Sequence, residues 1–178
     1  MAILIKKNEQ TETTCIMGID PSLSGTGIVV LNTKNNSILN QSVLTSDSKD
    51  SIDERLDVLV EMLQSIVYEY FPNIVVRIEG LAFAAIGKIA ELGALHYMIR
   101  AMLIKNNIPF LVVPPTVWKK YAMGKGNAKK DLLLKTMYKK WGFDTESDDI
   151  AVAYCLAKIP EEIILKSKEK HHAKKSKN

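Results

Sequence analysis

The sequence predicts an α/β fold in which a mixed sheet carries helices on both faces. Two observations lead there. Five short apolar runs have strand character, and from the third onward they alternate with segments of helical periodicity. The first three runs are separated only by turn residues, which makes an antiparallel meander; runs separated by helices pair in parallel. At 178 residues the chain has room for one domain with a proper core. A composition of 47% hydrophobic and 25% charged residues excludes a disordered body. No apolar run approaches the ~20 residues of a membrane span.

Residues 1–14 read as a loose leader whose polar character excludes a secretory signal. CIMGI (15–19) is a buried strand ending at Asp20. PSLSGTG supplies turn chemistry before a second strand, IVVL (28–31). TKNN (33–36) is a hairpin turn, and SILNQSVL (37–44) alternates as a third strand. DSKDS (47–51) offers an N-cap to a helix over 52–70, whose apolar positions from Ile52 to Val67 lie on one face. After FPN, IVVRIE (74–79) is a buried strand ending at Glu79. A long helix spans 85–105, with Leu92, Leu95, Ile99 and Leu103 on a core face and Ala90, Gly93, Ala94 and Ala101 on a small-residue face. IPFLVV (108–113) is the fifth strand. A basic helix begins at 116, breaks at GKGN (124–127) and resumes over 128–140. DTESDD (144–149) caps a last helix, 150–157, and residues 161–178 form an unstructured basic tail beyond a domain of 15–160.

The net charge of +4 is unevenly spread. Residues 166–178 hold six Lys and one Glu, so the rest of the chain nets −1, although residues 115–140 hold eight Lys and one Asp. A basic segment beside an acidic remainder points to a polyanionic partner and a separate carboxylate site. Taken alone, the lysine-rich tail reads as a solvated helix face. The two cysteines, Cys15 and Cys155, lie in apolar stretches without CxxC spacing, which fits a reduced, intracellular protein with no zinc knuckle.

Asp20 and Glu79 end core strands, and Asp148 and Asp149 open the last helix. Ligands of open α/β sheets bind at strand ends. Helix capping explains Asp148 and Asp149 adequately, but it explains Asp20 less well and Glu79 least. Acids gathered from distant sequence repel one another unless divalent cations sit among them, and oxygen-only ligands favour Mg²⁺ or Mn²⁺. Two such ions about 3.5–4 Å apart serve in-line displacement at a phosphodiester.

Three stretches, IMGIDPSLSGTGIVVL, IVVRIEGLAFAAIGKIAELGALHYMIRAML and VPPTVWKKYAMGKGNAKKDLL followed by SDDIAVAYCLA, resemble the RuvC family of Holliday junction resolvases, nearest its phage-encoded branch. The resemblance covers roughly residues 15–157. It implies an RNase H-like fold with a five-stranded mixed sheet. It also implies a homodimer that nicks four-way DNA junctions with two Mg²⁺ or Mn²⁺ ions per site, and a cytoplasmic location. Asp20 matches the first catalytic aspartate and Glu79 the catalytic glutamate. Lys119 and Lys130 match two lysines near the scissile phosphates, Lys130 being part of the catalytic set. Lys120, Lys125 and Lys129 extend the DNA-binding segment, and Phe83 lies one residue from an aromatic that probes the junction centre.

The end of the pattern admits two registers. Matching the alanines of SDDIAVAYCLA puts Val152 on the last family aspartate. The other register puts Asp149 there and Glu146 three residues before it. In both, Asp149 is the third ligand, with Asp148 or Glu146 as its helper. The first register, which matches more small residues, motivates an alternative reading as a junction-binding protein with weak or no cleavage. PSLSGTG also resembles the phosphate loop of sugar kinases and heat-shock ATPases, but those need two lobes and this chain has room for one. GKGN is not a P-loop; it reads as an amide nest for a phosphate or as a helix break. His96 reads as a polar group at the dimer interface, and Trp118 and Tyr121 as core or boundary packing beside the lysines rather than as rings that stack on bases.

Overall fold

A computed structural model describes residues 13–81, 89–128 and 132–175. Five strands form one sheet: β1 Cys15–Asp20, β2 Thr26–Asn32, β3 Ile38–Leu44, β4 Ile74–Glu79 and β5 Phe110–Val113. Their order is β3-β2-β1-β4-β5. β1, β2 and β3 pair antiparallel, while β1, β4 and β5 pair parallel. The mixed sheet is therefore as the sequence predicts. Among the described residues six helices accompany the sheet: α1 Ile52–Tyr70, α2 Ile89–Lys105, α3 Pro115–Met123, α4 Leu133–Trp141, α5 Asp148–Lys158 and α6 Glu161–Lys175.

Strand alternation divides the core into two layers. Cys15, Met17 and Ile19 of β1, with Ile74, Val76 and Ile78 of β4, belong to the cluster that α1 and α2 cover. Val29 and Leu31 of β2, with Leu111 and Val113 of β5, belong to the cluster of the helices from α3 to α6. Ser51 opens α1 with a reciprocal capping box to Glu54, the signature expected of Ser-x-x-Glu. α1 buries Leu56, Leu59, Leu63 and Val67 on one stripe.

α5 lies flat on the sheet, and every residue from Ile150 to Ala157 is buried. Small residues permit that approach, and strand glycines complete it. A Cβ on Gly18 of β1 would meet the Ala153 carbonyl oxygen and stand 2.8 Å from the Ala157 nitrogen. Both obstacles are backbone, so neither can swing aside. Gly18→Ala should cost about 1–3 kcal/mol, as overpacking does; a thermal melt against wild type measures it.

The far end of α5 is held by Arg77, an isolated charge within the core strand IVVRIE. Its Nη1 donates to the carbonyls of Leu156, Ala157 and Ile159. Cationic donors suit the carbonyls left open at a helix C-terminus. Burial pulls the Arg77 pKa down, while Glu161 and Glu162 push it back up.

The lysine-rich composition predicts an unstructured tail from residue 161. Instead the chain continues as α6 beyond Pro160. Ile164 is fully buried in the α5 cluster and supplies the packing that lysine content concealed. Of the leader, Thr13 and Thr14 are described, and the Thr14 N–H donates to the Asn73 carbonyl at 3.0 Å. Among the described residues, no helix is long and apolar enough to cross a membrane. Cys15 and Cys155 are both free and buried, and burial pushes the Cys155 thiol up to about 12.

Candidate active site

Two of the acids end neighbouring strands beside the C-terminal end of β1. Asp20 pairs with Gly27 across the β1–β2 ladder, and Ile19 pairs with Ile78, the residue before Glu79, on the other side. Cys15, Met17 and Ile19 face α1 and α2, so Gly18 and Asp20 face α5. The same count puts Arg77 and Glu79 of β4 on the α5 side. Asp20 and Glu79 thus leave neighbouring parallel strands at one end and on one face. Asp20 is only 5% exposed, and Glu79 is half-buried.

α5 delivers the third acid. Ser147 is its N-cap, accepting from the Ile150 N–H at 3.3 Å, so neither Asp148 nor Asp149 is needed as a cap. Asp148 and Glu146 are exposed, while Asp149 is half-buried against the start of β2. A Cβ on Gly27 would lie 2.9 Å from the Asp149 Cβ, and one on Gly25 would lie 3.2 Å from its Oδ2. Gly27 therefore has a job that only glycine performs here: it lets Asp149 sit beside Asp20's own ladder partner. Val152, one turn further, is fully buried in the apolar cluster.

Glu79 is held at both ends. β4 pairs Glu79 with Val113, and Pro114 follows at once as the N-cap of α3. Pro115 starts the helix where its missing N–H costs nothing. One turn on, Trp118 folds over the end of β4 and its Nε1–H donates to Glu79 Oε1 at 2.7 Å. From α2, His96 Nε2 donates to the Glu79 backbone carbonyl at 2.6 Å. His96 is 3% exposed, so it is a core group rather than the interface residue expected from the sequence. Burial, more than any neighbour, lowers its pKa, which keeps the ring neutral.

The lysines lie along α3 and just beyond it. Lys119 Nζ stands over the Trp118 ring, 5.7 Å from its centroid. Lys120 and Lys125 are exposed. Gly124 closes α3 in the left-handed conformation, its N–H bonded to the Lys120 carbonyl at 2.9 Å, so GKGN does break the helix. Tyr121 packs against Trp141 at 5.7 Å and donates to the Lys158 carbonyl, a boundary role as expected. Phe83, Lys129 and Lys130 lie outside the described residues.

The donors are carboxylate oxygens, the chemistry a hard divalent cation prefers. Among the described residues, no three His, Cys, Asp or Glu side chains stand together closely enough to hold an ion. Glu79 is engaged with Trp118, while Asp149 lies by Gly27. The oxygen donors suit a divalent cation by type, but the three carboxylates are not gathered into one ligand set among the described residues.

A five-stranded sheet of this order, with acids where β1 and β4 end, defines an RNase H-like α/β fold. Solved structures agree: Thermus thermophilus RuvC superposes with a TM-score of 0.67 at 18% identity, covering 80% of this chain and 90% of that one. A T. thermophilus RuvC in complex with a Holliday junction substrate also gives 0.67. The yeast mitochondrial Holliday junction resolvase gives 0.55 and covers 94% of this chain. The family of crossover junction endodeoxyribonuclease RuvC matches residues 16–157, and the chain belongs to it. Among curated relatives, RuvC of Rickettsia conorii is 30% identical over 150 residues, covering 79% of this chain and 96% of the relative. RuvC of Brachyspira hyodysenteriae is 28% identical over 144 residues, covering 79% and 89%. These relatives are named as nucleases, which does not favour the reading as a binding protein with weak or no cleavage.

Proposed function

We propose that this chain is a metal-dependent endonuclease that cuts branched DNA, four-way junctions chiefly. What supports the reading is that Asp20 and Glu79 end adjacent strands on the sheet face that α5 covers, with Asp149 at the start of α5 and a lysine-bearing helix following β5. Asp20, Glu79 and Asp149 are the residues to hold two Mg²⁺ or Mn²⁺ ions, with Asp148 or Glu146 assisting. Held there, a divalent cation would supply activation of water and charge stabilisation at the leaving oxygen of a phosphodiester. Asp20 contributes a carboxylate fixed by its strand, and Glu79 one fixed from two helices. Lys119, Lys120, Lys125, Lys129 and Lys130 hold phosphates near the scissile bond, and Phe83 meets the junction centre. Recognition rests on phosphate contacts and junction shape rather than base edges.

Two symmetric cuts require two sites, which a homodimer supplies. α2 offers a face for it: Ile89, Ala90, Tyr97, Ala101 and Ile104 are exposed, and a Cβ on Gly93 would meet nothing within 4 Å. The protein acts in the cytoplasm, as a phage-encoded enzyme would in its host.

The test is strand nicking on an end-labelled four-way junction. Mg²⁺ should support cutting, EDTA should stop it, and a linear duplex of the same sequence should survive. Lys119→Ala should weaken junction binding and make it less salt-dependent, lowering the slope of log affinity against log salt by about 0.9. An unaltered slope from binding titrations across salt would return Lys119 to a merely solvated role.

A further inference from the structure

We propose that Trp118 is a positioning residue for cleavage: its indole N–H fixes the Glu79 carboxylate and ties it to the helix that carries the DNA-binding lysines. The inference rests on the nuclease reading above, because it assigns Glu79 to the cleavage site.

Trp118 is fully buried, lodged in the cluster that includes Val113, Ala122, Leu133 and Met137. An indole has one polar atom, a donor only, and when buried it needs an acceptor. The acceptor here is Glu79 Oε1 at 2.7 Å. A bond to an ionised carboxylate is stronger than one between neutral groups. It engages one carboxylate oxygen and limits rotation of the side chain about its outer torsions. His96 holds the backbone carbonyl of the same residue from α2, so Glu79 is fixed at both ends.

The second half of the argument is place. Lys119 follows Trp118 directly, and its ammonium lies over the same indole, 5.7 Å from the centroid. That distance is within cation–π range. One ring thus bonds a carboxylate of the proposed site and lies within cation–π range of Lys119, one of the proposed DNA-binding lysines. A phosphate drawn to Lys119 is registered against Glu79 through a rigid aromatic plate. Outer partners of a ligating carboxylate set its orientation, and losing one typically costs about 10- to 100-fold in metal affinity or activity. A ring that only fills space would have no such effect.

The test uses the full-length chain with two replacements at position 118. Trp118→Phe removes the N–H and some volume. Benzothienylalanine, with sulfur in place of the indole N–H, removes the donor and keeps the volume. The isostere should melt like wild type and bind the junction equally in EDTA. Its Mg²⁺ half-saturation for nicking should rise, or its maximal rate fall, by about 10- to 100-fold. A second readout needs no turnover. In a Trp141→Phe background Trp118 is the sole tryptophan, since the chain has two. Its fluorescence should shift on Mg²⁺ addition when Glu79 is present and stay unchanged with Glu79→Gln. An isostere that nicks with wild-type Mg²⁺ dependence overturns the positioning role alone. A wild-type chain that cuts no junction with Mg²⁺ or Mn²⁺ overturns the nuclease reading, and this inference with it.

Discussion

Asp20→Asn and Glu79→Gln should each abolish junction cleavage while leaving junction binding intact. Both substitutions keep side-chain size and remove the charge a divalent cation requires. Charge stabilisation at a metal site contributes several kcal/mol to the transition state. Each 1.36 kcal/mol is tenfold in rate, so the loss should be about a thousandfold or more. The fold should tolerate both changes. Glutamine retains an oxygen to accept from Trp118, and asparagine matches the shape of the 5% exposed Asp20 while removing its charge. Single-turnover nicking, with gel-shift binding in EDTA and a thermal melt, separates these effects. Nicking by either variant at a rate near wild type would refute the assignment of these acids.

Val152→Asp should destabilise the protein without raising cleavage. A register that puts Val152 on a family aspartate predicts the reverse, a restored ligand and a faster enzyme. The structure shows Val152 with no exposed surface, in the same apolar cluster as Val29, Leu111 and Trp118. A carboxylate there is charged, buried and without a designed partner, at a cost of about 3–5 kcal/mol. For a chain of this size that lowers the melting temperature by about 10 °C or more. Burial raises the new acid's pKa above its unfolded value, so the deficit should shrink as pH falls. Melts at several pH values, with and without Mg²⁺, check the sign. Metal-dependent stabilisation with faster nicking would show instead that position 152 reaches the metal site.

Part of the candidate site was legible because two of its acids stand where strands end. An acid that closes an apolar run marks a strand terminus: Asp20 is followed by the turn residues Pro21 and Ser22, and Glu79 stands out as a charge within the largely apolar IVVRIEGLAF. Asp149 was legible as an acid at a helix start, but its role was not separable from capping. The structure separates them by giving the cap to Ser147 and pressing Asp149 against Gly27. His96 and Trp118 were read as an interface group and a packing group. Their bonds to Glu79 join residues 17 and 39 positions apart, and no local pattern encodes such a meeting. Arg77 did carry a signal, a lone charge inside a core strand, though not the identity of the helix end it serves.

The sequence by itself determined the strands, the order of alternation and the two acids at strand ends. Those follow from periodicity and turn chemistry, which act between residues close in the chain. The mixed pairing followed from connection length. Only the tertiary structure decided which face each acid occupies relative to α5, how closely α5 lies on Gly18 and Gly27, and which groups hold Glu79. It also decided that α6 is a helix, because one buried isoleucine outweighs a lysine-rich composition. Those outcomes depend on packing between distant segments, where approach distance and burial set the energies and local propensity does not.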